Sequence, residues 1–167
     1  MAAAAVVQAF AQPAHAQVGQ QREPSVVASK SRAAARAERR VEAINADTAE
    51  AARRIVALTN AFRRGESLPP TGPAPQLTST ARYFADFMAR TGKFSHSADG
   101  TEPAARAKRF GYEYCTVAEN IGYVFSTGGI DTAELARRIF EGWQNSPEHR
   151  KNMVNADVTE TAVAIAR

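Results

Sequence analysis

The chain has 167 residues, 44% of them apolar, with a formal charge of +4, one cysteine and three histidines. That length holds one domain with a sizeable core and is short for two. No run approaches the ~18 uninterrupted apolar residues of a membrane span, and a lone cysteine excludes an intrachain disulfide framework. Most of the excess positive charge lies near the N-terminus, so it argues little for a polyanion partner of the folded part.

Met1 to Ala16 reads as a signal peptide without its basic n-region. Ala2 to Ala11 is a short run rich in small apolar residues, and Ala14-His15-Ala16 fits a small-x-small cleavage pattern. The first basic residue is Arg22. Residues 17–46 read as a linker. Within it Lys30, Arg32, Arg36, Arg39 and Arg40 form a basic run among alanines, suited to peripheral contact with an anionic lipid or wall surface. The run has no interleaved aromatics, so nucleic acid is not expected as a partner.

The folded domain is expected over residues 47–167. Asp47-Thr48-Ala49-Glu50 has the form of a capping box, and Ala51, Ile55, Leu58 and Phe62 recur at helical spacing before Gly65. Leu68 to Pro73 is expected to be loop, because adjacent prolines remove backbone donors. A second helix is predicted over Ser79 to Thr91, with Gly92 taking the left-handed position after it. Phe94 to Gly100 is then a polar loop carrying His96. Pro103 opens a short helix. Tyr112 to Phe125 favours extended chain. Asp131-Thr132-Ala133-Glu134 is a second capping box, opening a helix with Leu135, Ile139 and Trp143 on one face. Ser146-Pro147 starts a short helix with His149 in its first turn. Ala162 to Ala166 reads as a central strand.

His96, Glu119 and His149 are the candidate chemistry. Two imidazoles and a carboxylate suit a divalent metal such as zinc, with a position left open for water. Without metal, the same residues suit general acid–base work. Their spacings match no local zinc signature. A carboxylate in the apolar surroundings of Glu119 needs a partner, and Arg106 and Arg150 qualify as well as a histidine. Cys115 has no Cys-His-Asn order around it and reads as a small buried side chain.

The order of these stretches resembles the CAP superfamily, the SCP-like domains of cysteine-rich secretory proteins, antigen 5 and pathogenesis-related proteins, in its bacterial branch. The matching stretches are Leu58 to Arg63, Ala81 to Met88, Phe94-Ser95-His96-Ser97 with Asp99-Gly100, Arg109 to Tyr112, Ala118-Glu119-Asn120-Ile121, and Trp143 to Asn152 with its Ser146-Pro147-Glu148-His149-Arg150 block. The resemblance implies an α+β fold, a three-layer α-β-α sandwich. It implies a ligand-binding cleft at His96, Glu119, His149, Asn120 and Ser97, with His96, Glu119 and His149 as metal ligands. Two departures stand out. Ala118 replaces the usual glycine before the glutamate, and Glu148 is a weak substitute for a second family glutamate. Family members also continue past Ala166 into another strand, so the sheet is expected to lack its last strand.

Three functions stay open at this point. One is a secreted or periplasmic binding module for a divalent metal, a lipid or another small ligand. Another is a metal- or His/Glu-dependent hydrolase. The third is a structural envelope protein. No Gly-x-Ser-x-Gly marks an activated serine.

Overall fold

The computed structural model describes residues 2–13 and 46–167. In chain order they form β1 (Ala2–Pro13), α1 (Thr48–Gly65), β2 (Gly72–Pro73), α2 (Pro75–Thr91), α3 (Pro103–Arg109), β3 (Tyr114–Ser126), α4 (Thr132–Gln144), α5 (Pro147–Met153) and β4 (Glu160–Ala166). The four strands make one mixed sheet in the order β2-β4-β1-β3. β1 runs antiparallel to both neighbours, and β2 runs parallel to β4.

Local signals place the helices. The Asp47 carboxylate accepts from the Ala49 and Glu50 amides, and the Asp131 carboxylate from the Glu134 amide. The first capping box is one-sided, because Glu50 turns outward to Arg53 and Arg54 while the Asp47 amide donates to the Thr132 hydroxyl. Gly92 closes α2 at φ 67, a left-handed conformation that suits glycine, and donates to Met88 O. α2 begins at Pro75 rather than Ser79, since proline fits a first helical turn whose amides need no partner. Gly72 and Pro73, expected as loop, make a two-residue bridge to β4.

The helices form two layers on the sheet. On one face, Val6, Phe10 and Val163 pack against Ile55 of α1, Leu135, Ile139 and Trp143 of α4, and Met153 of α5. On the other, Val7, Ile121 and Ala164 meet Ala81, Phe84 and Met88 of α2. Gly122 lies under α4, where an added Cβ would stand 3.1 Å from Ile139 Cδ1 and 3.2 Å from Trp143 Nε1. The expected α-β-α sandwich is therefore present.

The sheet has four strands. The place beside β4 is filled by β1, from the opposite end of the chain, paired from Ala5↔Ala166 to Ala11↔Glu160. These are also the residues that read as a leader. A central strand buried on both faces is a continuous apolar run, and in small residues such a run has the composition of a signal-peptide core. Val6, Val7, Phe10 and Ala11 are fully buried, as is Gln8, whose amide donates to Thr59 Oγ1. The cleavage pattern at Ala14 to Ala16, and nearly all of the basic linker, lie outside the described residues. β4 is less central than expected, since only Glu160 and Thr161 pair with β2. Cys115 is exposed rather than buried. The pairing steps from Gln12↔Thr116 to Pro13↔Tyr114 and leaves Cys115 in a bulge.

Candidate functional site

The site is assembled over the outer edge of β3. Successive side chains of a strand point to opposite faces. Glu119 therefore points toward α2 and α3, and Asn120 toward α4 and α5. The histidine loop follows α2 on the first side, and His149 rides on α5 on the second.

Arg106 of α3 organises the first side. Its side chain is fully buried, and its Cζ lies 3.4 Å from the centroid of the Phe84 ring. Nη1 donates to Asp99 Oδ1 at 2.6 Å and to Thr101 O at 3.1 Å. Nη2 donates to His96 O at 2.8 Å and to both Glu119 oxygens at 3.2 and 3.3 Å. One guanidinium thus ties the loop at both ends and holds the carboxylate. Asp99 also accepts from the Thr101 amide and hydroxyl. Its carboxyl lies below its ordinary value of 3.8, burial being outweighed by the bonds from Thr101 and Arg106.

Glu119 shares Oε1 with His96 Nδ1 at 2.9 Å. The Glu119 side chain is 3% exposed and that of His96 48% exposed, so the carboxylate lies beneath the imidazole. A carboxylate on Nδ1 fixes ring orientation and leaves Nε2 for whatever enters. On the second side, His149 Nδ1 bonds Ser146 Oγ at 2.9 Å, which likewise leaves Nε2. The Ser146 hydroxyl is therefore engaged by the histidine and makes no side-chain cap on α5. Burial pushes the His149 imidazole below 6.5, the nearby His96 pushes it the same way, and Glu148 opposes both. The two imidazoles thus lie within electrostatic reach of each other.

Asn120 is fully buried and joins the sides. It donates to His149 O at 3.1 Å and accepts from Asn152 Nδ2 at 2.9 Å. Asn152 Nδ2 also reaches Glu119 O at 3.3 Å. Ser97 is exposed on the loop, with its carbonyl accepting from Gly100 N. Arg150 bonds Glu66 on the surface and takes no part. Of the two arginines considered as partners of Glu119, the structure selects Arg106. Asn152 had no mark of its own beyond lying one helical turn after a candidate histidine.

The expected three-ligand metal site is not assembled. Both Glu119 oxygens accept from Arg106, so this carboxylate acts as a support for His96 rather than a ligand beside it. Among the described residues no three His, Cys, Asp or Glu side chains are disposed to hold one ion. The largest groove, about 810 Å³, lies elsewhere, along Thr161 to Ile165 of β4 between α1 and α2. We base the site on the hydrogen-bonded histidines, because a groove without converging polar chemistry says less about function.

An α-β-α sandwich with two imidazoles and a supporting carboxylate over one strand edge defines the class of domain. Residues 56–167 match the CAP family, the cysteine-rich secretory protein family, and the chain belongs to that family. The match begins inside α1 and does not include β1. The chain is also similar to the "Uncharacterized protein YkwD" of Bacillus subtilis (strain 168), 33% identical over 112 residues. That alignment covers 66% of this chain and 40% of the relative, so the chain spans about two fifths of that protein's length. No solved structure matches the chain. Among the described residues no helix is long and apolar enough to cross a membrane.

Proposed function

We propose that this domain is an exported binding module whose cleft takes a small ligand or a divalent metal such as zinc between the Nε2 edges of His96 and His149. The observation that carries this is the pair of tethered rings. Each imidazole has its Nδ1 committed, to Glu119 and to Ser146, and each keeps its second nitrogen. Two histidines are fewer protein ligands than a structural zinc site uses, so remaining positions fall to water or to a ligand's own donor atoms. Glu119 tunes His96 from behind, and Asn120 and Asn152 fix the backbone under His149.

The Arg106 ion pair favours binding over hydrolysis. A general base needs a carboxylate with an oxygen free to take a proton, and both Glu119 oxygens accept from the buried Arg106 guanidinium. The family's description as secretory supports export. Calorimetric titration of the full chain with zinc chloride tests the cleft. His96→Ala and His149→Ala are each expected to weaken binding at least about tenfold, and Glu119→Gln by about 10- to 100-fold through His96. Equal zinc affinity in all four proteins would remove the imidazole pair as the site.

A further inference from the structure

The outer edge of β3 changes character halfway along. Thr159 N and Thr161 Oγ1 reach Ala11 O and Ala9 O, so the odd-numbered residues of β1 face β4 and the even-numbered ones face β3. In the β1–β3 register, even-numbered residues of β3 then pair inward, and Glu119, Ile121, Tyr123 and Phe125 turn their backbone groups outward. The first two carbonyls are covered: Asn152 Nδ2 donates to Glu119 O and Trp143 Nε1 to Ile121 O. The amides and carbonyls of Tyr123 and Phe125 have no hydrogen-bond partner among the described residues.

The same half of the strand carries the exposed aromatics. Tyr123 is 66% exposed, Phe125 52% and Phe94 46%, and the Phe94 and Tyr123 rings meet edge-on at 5.3 Å. Phe94 and Tyr123 wall a cavity of about 510 Å³ floored by Ala4 and Met88, with Lys93 and Arg167 also lining it. No acidic residue is among the described residues that line it. An unpaired strand edge is a template for another strand, and a long exposed apolar one is normally blunted by charge or proline. Here neither interrupts Tyr123-Val124-Phe125.

We infer that the Tyr123–Phe125 edge binds an extended peptide segment of a partner protein, one face of which carries both apolar and acidic residues, as an added strand. Backbone bonds to Tyr123 and Phe125 would give affinity, an apolar side chain would pack on the Phe94 and Tyr123 rings that wall the cavity, and a carboxylate would meet Lys93. Charge selects this occupant over the others. A second copy would offer its own Tyr123-Val124-Phe125, which has no acid, and would bring two basic cavities together. The run Lys30 to Arg40 of this chain has the wrong sign as well. The surface lies beyond the imidazole cleft and does not depend on metal there.

Fluorescence anisotropy of a labelled, roughly eight-residue peptide with valine and glutamate at alternate positions of one face and threonine between them tests this on the full chain. Saturable binding is expected. It should weaken about tenfold when the peptide amides facing the edge are N-methylated, and be lost when lysine replaces glutamate. Phe125→Pro removes one outward amide and none of the β1 ladder, so the fold should tolerate it, as edge strands tolerate proline. It should weaken binding more than Phe125→Ala does. The N-methylated peptide reads the same bonds without altering the protein. Equal binding of the methylated and parent peptides, or no saturable binding, overturns the inference. So does a concentration-dependent dimer in sedimentation velocity that Phe125→Pro abolishes, because the edge would then belong to a second copy.

Discussion

Two arginines are fully buried in this domain, and they serve different ends. Arg63, at the end of α1, donates only to carbonyls: Pro69 O at 2.9 Å, Met153 O at 2.9 Å, Asn155 O at 2.8 Å and Val158 O at 3.1 Å. It clasps three stretches of backbone that approach β4, and burial alone lowers its pKa. Arg106 donates to two carboxylates, one of which supports an imidazole that is half in solvent. A buried charge does not by itself mark a site. What separates the two is the next neighbour. Beyond Arg63 there is more backbone, and beyond Arg106 there is a titratable ring facing water.

The comparison breaks most clearly at Arg63. Arg63→Met keeps much of the apolar bulk and leaves the carbonyls without donors, each costing about 1–3 kcal/mol. The expected loss is about 4 kcal/mol or more in urea unfolding, with the zinc isotherm of any folded fraction unchanged. Arg106→Met is expected to cost somewhat less, about 3 kcal/mol, because Asp99 can take up a proton once its partner is gone. Its second effect should be local. The zinc affinity should move in Arg106→Met and stay in place in a folded Arg63 variant. If both variants move it equally, the distinction between clasp and site support fails. Glu119→Gln comes next, at about 2 kcal/mol, since the amide keeps the shape and loses the charge opposite Arg106.

What was legible in the sequence follows the range of the interaction. The caps at Asp47, Asp131 and Gly92 act within one turn, so the helices could be read from short stretches. The identities of His96, Glu119 and His149 came from the order of family-like stretches, and the structure gathers the three around one strand edge. Their roles were not legible, because a role depends on which nitrogen or oxygen is already bonded. Glu119 reads as a ligand until Arg106 is seen on both its oxygens. Arg63 gave no signal at all, since its partners are backbone carbonyls between Pro69 and Val158, and carbonyls have no sequence identity. β1 was the least legible element. Its sheet partners, Glu160 to Ala166 among them, lie at the other end of the chain, and nothing near Val6 or Phe10 announces them.

The smallest expected effect is the one that reads the cleft most directly. His149 titrates below 6.5 in the folded domain, through burial first and then through the charge of His96. The unfolded chain therefore binds the proton more tightly. Stability from this group is fully present above about pH 6.5 and declines as pH falls from there through the lowered folded value. The carboxylates with lowered values, Asp47, Glu50, Asp99 and Glu134, titrate below 3.8 or 4.5, outside the window of His149. Melting temperature measured between pH 7.5 and 5 is expected to fall gently in the wild-type chain and to flatten in His149→Gln. His96→Gln should flatten it partly, because it removes the second cause and leaves burial in place. A slope unchanged in His96→Gln would mean that the two rings do not sense each other, and the cleft between them would lose its electrostatic basis while Arg63 and the scaffold remained as they are.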